Sequence, residues 1–207
     1  MKMEQLLIWE KNMETKAEIR KNNIRNRKQI AKDDVEYASD RICERIIKKE
    51  WFNKNSSLFV YSACNNEVDL DKVIKEALNK GIKIAFPRVR EYCEMDFFWI
   101  NDMSGLQKGS YNIMEPSLDC EIAIPDENTW VLVPGVAFSC ENGYRIGYGK
   151  GYYDRYLSNF SEVHTIGIAY ESQLVEAWET EKNDIAMKQI ITEKREVIIN
   201  DKTRNIV

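Results

Sequence analysis

Trp130-Val131-Leu132-Val133, halted by Pro134-Gly135, is apolar at every position. A strand covered on one face alternates apolar and polar side chains, whereas an unbroken run belongs to a strand with protein on both faces. This segment is therefore read as the central strand of the fold. Upstream, Leu58-Phe59-Val60-Tyr61 is a second short β-prone run. A helix follows over Leu70 to Lys80, with Val73, Ile74, Ala77 and Leu78 inward and Gly81 as its stop. Ile82 to Phe86 is the next strand, ended by Pro87, and Asp96 to Ile100 another. Residues 101–129 are broken by Gly105, Gly109, Pro116 and Pro125 and read as loop. Downstream, a helix near Gly151–Asn159 and strands at Val163–Ala169 and Glu196–Ile199 continue the alternation.

Strand–helix–strand order with buried strands predicts an α/β fold: a three-layer, open, mainly parallel sheet with helices on both faces, Rossmann-like in architecture. Ligands of such sheets bind outside the carboxyl ends of the strands, so the loops after Tyr61, Phe86 and Val133 are where chemistry is sought. An N-terminal helical segment, residues 14–51, is expected to pack on this core. Thr15-Lys16-Ala17-Glu18 fits a capping box, and a second helix starts near Asp33 or Asp34, with Val35, Ala38, Ile42 and Ile46 as its inward stripe. The 207 residues suit one domain, with residues 1–13 as an extension.

Composition narrows the function. The apolar share of 43% supports one core, and a net charge of −4 argues against a dedicated nucleic-acid binder. Five scattered cysteines form no C-x-x-C, which favours reduced thiols in a cytoplasmic protein. Nothing approaches the ~18 apolar residues of a membrane span.

Arg145-Ile146-Gly147-Tyr148-Gly149-Lys150-Gly151-Tyr152-Tyr153-Asp154 carries the strongest chemical signal. Alternating glycines let backbone amides approach a ligand, and a helix start, Arg145 and Lys150 add positive charge, which together describe a polyphosphate cradle. It is neither a Walker loop, since Gly151 follows Gly149-Lys150 where Ser or Thr is needed, nor G-x-G-x-x-G, since position 152 is Tyr. Asp154 is read as a Mg²⁺ ligand or as a first-turn acid on the helix dipole. Asp184 is a second carboxylate for the metal or an ordinary loop aspartate. Lys16 and Arg20, one helical turn apart, repel by about 0.3 kcal/mol unless an anion sits between them; a solvated basic face is the bland alternative. Glu67, just past the Tyr61 strand, is a helix-entry acid or an acceptor for paired N–H groups of a heterocycle. Tyr61, Tyr111, Tyr148, Tyr152 and Tyr153 offer stacking faces or plain core. His164, the only histidine, lies in an apolar strand and reads as structural.

Pro134-Gly135-Val136-Ala137-Phe138, followed by Gly143-x-Arg145-Ile146-Gly147-x-Gly149-Lys150-Gly151-Tyr152-Tyr153-Asp154-Arg155-Tyr156-Leu157, resembles the signature of the 5-formyltetrahydrofolate cyclo-ligase (methenyltetrahydrofolate synthetase) family. Lys16-x-x-x-Arg20, Glu67-Val68-Asp69, Gly109-x-Tyr111-Asn112-Ile113-x-Glu115-Pro116, and Asn183-Asp184 with Ile191-Thr192-Glu193 extend the likeness from about Lys16 to about Ile199. The resemblance implies ATP-dependent, Mg²⁺-dependent closure of 5-formyltetrahydrofolate to 5,10-methenyltetrahydrofolate, by phosphorylation of the formyl oxygen and attack of N10, with release of ADP and phosphate. It implies that ATP is held by Lys16, Arg20, Arg145, Ile146, Gly147, Tyr148, Gly149, Lys150, Gly151, Tyr152 and Tyr153, with Arg145 and Lys150 the catalytic cations. It places the folate against Tyr61, Ser62, Glu67, Tyr111 and Tyr148 to Tyr152, and Mg²⁺ on Asp154 and Asp184. Three positions depart from the pattern: Tyr111 replaces the usual tryptophan, Asn183 a common histidine, and Lys188 a frequent aspartate. A kinase or ligase of another small molecule, or a nucleotide- or folate-binding regulator without turnover, are the competing expectations.

Overall fold

The computed structural model describes residues 14–109 and 113–199. Its frame is a seven-stranded sheet built from β1 (Ser57–Phe59), β2 (Lys83–Val89), β3 (Met95–Ile100), β6 (Thr129–Pro134), β9 (His164–Ile168), β11 (Gln189–Ile191) and β12 (Glu196–Ile198). Their spatial order is β12-β11-β9-β6-β1-β2-β3. The four pairings from β11 to β2 are parallel, and only the edge strands β3 and β12 run antiparallel. Thr129–Pro134 is the middle strand, as its unbroken apolar run predicts.

Side-chain parity divides the core. Leu58, Ile84, Phe86, Leu132, Ile166 and Ile168 face one layer, which holds α2 (Lys32–Ile47) and α3 (Asp71–Asn79). Phe59, Ala85, Val131, Val133 and Ile190 face the other, where α4 (Tyr152–Leu157) sits on Tyr156 and Leu157. The expected stripe of α2 is buried at Ala38, Ile42 and Ile46, with Val35 half-buried. Phe59 and Phe97 stack at 4.7 Å between centroids, a pairing worth about 1 kcal/mol beyond the area it buries. On the opposite side of the central strands, Trp51, Trp130 and His164 form a continuous stack with centroid spacings of 4.1 Å. Burial lowers the His164 pKa, and the residue is structural.

The fold differs from the sequence reading in four places, one of them the main-sheet strand β11, which the sequence reading leaves out. Strand β2 does not end at Pro87 but runs through it to Val89. Ala85 O accepts from Val60 N, so alternate residues of β2 point their backbone groups toward β1. Beyond Ala85 that neighbour has ended, and the missing N–H of Pro87 costs no ladder bond. Residues 101–129 are not all loop: β4 (Leu106–Lys108) and β5 (Met114–Pro116) form a hairpin. A small second sheet, β10-β7-β8, joins Leu174–Val175, Ala137–Ser139 and Arg145–Ile146. Pieces of two or three residues carry too little periodicity to be read from sequence.

That second sheet positions the N-terminal helix. Helix α1 (Lys16–Lys28) carries the expected capping box, with Thr15 N donating to the Glu18 carboxylate at 2.9 Å and Glu18 N to the Thr15 hydroxyl at 3.3 Å. Its apolar side, centred on Ile19, packs with Val136, Ala137, Ile146 and Trp178 rather than on the main sheet. The basic side consequently lies over the segment that follows β8.

Candidate active site

A cavity of about 510 Å³ opens at the carboxyl ends of β1, β2 and β6. Its walls come from Tyr61, Ser62 and Glu67 after β1, Pro87 and Val89 in β2, and Pro134-Gly135 at the end of β6. Residues 147–154 close one side, and Lys16, Arg20, Glu181 and Asp184 its outer rim. Tyr61 and Pro134, 73 positions apart in sequence, thus share one hollow because the parallel neighbours β1 and β6 end side by side.

The glycine segment is built for close approach. A Cβ on Gly147 would stand 2.7 Å from Arg145 Nη1, so only glycine leaves that guanidinium its place. Gly149 has φ 95°, a conformation that glycine adopts without strain. Among the described residues, none of the amides of residues 148–151 donates to a protein acceptor. Lys150 is exposed and has no ion-pair partner among the described residues. Arg145 is buried, donates from Nη2 to Asp154 Oδ2 at 2.9 Å, and lies over the Tyr153 ring at 5.4 Å. Helix α4 spans only six residues, so the loop amides and cations, more than a helix dipole, supply the positive character.

Helix α1 adds two more cations. Arg20 Nε donates to Gly147 O at 2.8 Å, clamping the segment from above. Lys16 Nζ reaches Asp184 Oδ2 at 2.7 Å and Glu181 Oε1 at 3.0 Å. Burial pulls its pKa down, but the hydrogen bonds it donates to Asp184 and Glu181 outweigh this and leave it raised.

The inner end of the cavity is organised around Glu67, which is 8% exposed. Its Oε2 accepts from Cys64 N at 3.1 Å and Cys64 Sγ at 3.4 Å, while Oε1 faces Arg27 Nη2 at 3.5 Å. Burial raises the Glu67 pKa, and Arg27 and the Cys64 donors pull it partly back. Ser62 Oγ donates to Met114 O at 2.6 Å, and the Tyr61 hydroxyl to Val68 O at 2.9 Å, fixing the strand end beside it.

Most of the residues singled out from sequence thus line one hollow. Ile146 does not: its side chain is fully buried with Ile19, Val136 and Trp178, so its neighbours make the cavity wall. Tyr111 lies outside the described residues. Lys188 donates to Ser161 O and Val163 O, at 3.1 and 2.7 Å, and lines no part of the cavity. Arg27 is a site residue that the sequence reading does not single out, although positions 16, 20, 23 and 27 recur at helical spacing on one face of α1. Glu115 and Glu181, both in the cavity wall, were also missed.

Asp154 and Asp184 fit a Mg²⁺ bound jointly with phosphate oxygens, since such a site takes one or two carboxylates rather than a protein cage. Asp154 Oδ1 accepts from Ile185 N at 3.3 Å, which holds the two carboxylate-bearing segments together. No group of three His, Cys, Asp or Glu able to hold a metal occurs among the described residues. No helix among those residues is long and apolar enough to cross a membrane.

Comparison with known proteins agrees with this geometry. The 5-formyltetrahydrofolate cyclo-ligase family model matches residues 12–193. A probable 5-formyltetrahydrofolate cyclo-ligase of Caenorhabditis elegans is 28% identical over 90% of this chain and 97% of its own length. The 5-formyltetrahydrofolate cyclo-ligase of Escherichia coli K12 is 31% identical over 64% of this chain and 75% of its own. The fold matches the Aquifex aeolicus 5,10-methenyltetrahydrofolate synthetase with TM-score 0.79 and 31% identity, over 90% of this chain and 93% of that one. A family model matching residues 12–193, a relative matched along nearly the whole length and a shared fold agree: the chain belongs to the 5-formyltetrahydrofolate cyclo-ligase family.

Proposed function

We propose that this protein uses ATP and Mg²⁺ to cyclise 5-formyltetrahydrofolate to 5,10-methenyltetrahydrofolate. The observation that carries the reading is the shared hollow: Glu67 at one end and the glycine segment at the other border the same cavity. In a reaction between two bound substrates, holding the reacting atoms together is the main catalytic contribution. Glu67 accepts N–H groups of the reduced folate heterocycle, while Tyr61, Ser62 and Tyr148 border it. The 148–151 amides, Lys150, Arg145, Arg20 and Lys16 hold the triphosphate. Asp154 and Asp184 hold Mg²⁺, which neutralises charge on the phosphates.

The formyl oxygen attacks the terminal phosphorus and ADP leaves. Phosphorylation turns a poor leaving group into a good one. N10 then bonds to the activated carbon and gives up its proton, the five-membered ring closes, and the C–O bond breaks so that phosphate leaves with that proton. Lys150 and Arg145 stabilise the negative charge that spreads over the phosphoryl oxygens during transfer. Neither step needs a protein nucleophile. Five free thiols fit a reducing compartment, and we place the activity in the cytoplasm. Purified protein mixed with 5-formyltetrahydrofolate and ATP-Mg is expected to show a near-ultraviolet absorbance rise matched by equal ADP. No rise, with ADP formed on a different substrate, would overturn the folate assignment.

A further inference from the structure

Arg27 is 4% exposed, and all three of its guanidinium nitrogens are engaged. Nε donates to Asn65 O at 3.1 Å and Nη1 to Gly135 O at 3.0 Å, while Nη2 donates to the Tyr148 hydroxyl and faces Glu67 Oε1 at 3.5 Å. It thereby ties together the loop after β1, the end of β6 and the glycine segment. Arg27 is not among the residues lining the cavity, so it acts on a ligand only through others. A 3.5 Å approach leaves Glu67 Oε1 a lone pair for a ligand N–H, whereas Oε2 is already committed to Cys64.

From this arrangement we infer that Arg27 is the positioning residue of folate recognition: it holds the Glu67 carboxylate ionised and aimed into the cavity, and fixes Tyr148 beside it. The inference rests on the reading that Glu67 receives the folate heterocycle. A protonated carboxyl could present a donor where the ligand N–H needs an acceptor, and a buried carboxyl without a cation gains its proton readily. The other groups around Glu67 do not complicate its titration. Burial pushes Cys64 on its own loop up to about 12, and Tyr170 after β9 to about 12. Tyr61 at the end of β1, Tyr148 on the glycine segment and Tyr153 on α4 are likewise raised by burial. None of these changes charge near neutral pH. Arg27 supplies the positive charge opposing Glu67 burial.

The test compares Arg27→Met and Arg27→Lys with the parent chain in steady-state kinetics across pH. Arg27→Met is expected to raise the KM for formyl-folate by at least about tenfold, as loss of one partner of a buried charge pair should. The acid limb of kcat/KM for folate should move to higher pH, while the KM for ATP stays near the parent value. Arg27→Lys should return the acid limb to its parent position but leave the folate KM raised, because one ammonium cannot serve carbonyls on both sides. An unmoved acid limb in Arg27→Met, or equal rises in both KM values, would overturn the inference. If Arg27→Met does not accumulate folded, Arg27→Lys decides: a parental folate KM overturns the role, and a raised one with a parental limb supports it. Infrared difference spectra separate this inference from the functional reading. A protonated-carboxyl band that appears at neutral pH in Arg27→Met, and disappears when Glu67→Gln is added, supports the coupling even if no cyclisation is seen. Its absence in folded Arg27→Met refutes the coupling.

Discussion

Two sets of ion pairs border the same cavity, and they differ in how firmly they are made. Arg27 and Glu67 are 3% and 7% exposed at their side chains and are surrounded by further hydrogen bonds. Lys16, Asp184 and Glu181 meet at the rim with side chains 20%, 13% and 76% exposed. The inner pair is fixed by packing before any ligand arrives. The rim pairs join groups whose proposed ligands carry charges of their own: phosphate competes for Lys16, Mg²⁺ for Asp184. On the proposed function, recognition of the heterocycle would be preorganised and capture of the nucleotide would proceed by exchanging partners.

Substitutions can break each half separately. The largest effect is expected for Lys150→Ala, which removes a cation with no other duty: turnover should fall on the order of a hundredfold or more with the thermal midpoint preserved. Near-parental ATP kinetics would remove the cradle from the account. Next comes Glu67→Gln, in the fixed half, where the folate KM should rise steeply and the ATP KM little. This variant also changes stability against pH. The folded Glu67 carboxyl keeps its proton above the ordinary 4.5 because burial raises its pKa. The fold therefore binds the proton more readily than the unfolded chain, and stability falls as pH rises from that ordinary value through the raised one. Glu67→Gln should remove that decline, measured by denaturant melts at several pH values; an unchanged slope would contradict the assigned burial effect.

Smaller effects belong to the exchangeable half. Asp154→Asn should raise the Mg²⁺ concentration needed for half-maximal rate; an unchanged titration would reassign Asp154 to holding Arg145 and the Ile185 amide. Lys16→Met should weaken ATP binding while hardly moving the melting point, since rim pairs stabilise a fold by about 1 kcal/mol or less. Least of all, Trp51→Ala should leave every kinetic constant intact while lowering stability, because its stack on Trp130 and His164 lies outside the cavity.

The same contrast explains what the sequence made legible. Trp130–Val133 announces itself because burial on both faces makes every position apolar, and the 73–78 stripe because burial on one face imposes the helical period. The glycine segment is legible because three glycines with two cations have few structural uses. Arg27 was hidden for the opposite reason. Its function depends on carbonyls at Asn65 and Gly135 and on an acid forty positions away, none of which leaves a local pattern. Pro87 misled because a proline ends a strand only where its missing N–H would have had a partner. The β10-β7-β8 sheet, made of fragments two or three residues long, left too little to read.

On the proposed function, the backbone of residues 147–151 receives a triphosphate whose terminal phosphorus faces the Glu67 end of the cavity. A crystal structure with a non-hydrolysable ATP analogue and Mg²⁺ tests this directly. Phosphate oxygens are expected against the amides of that segment, with Lys150 beside them and Lys16 released from Asp184. Nucleotide bound in another place, with the segment bare and the Lys16 pairs intact, would contradict it.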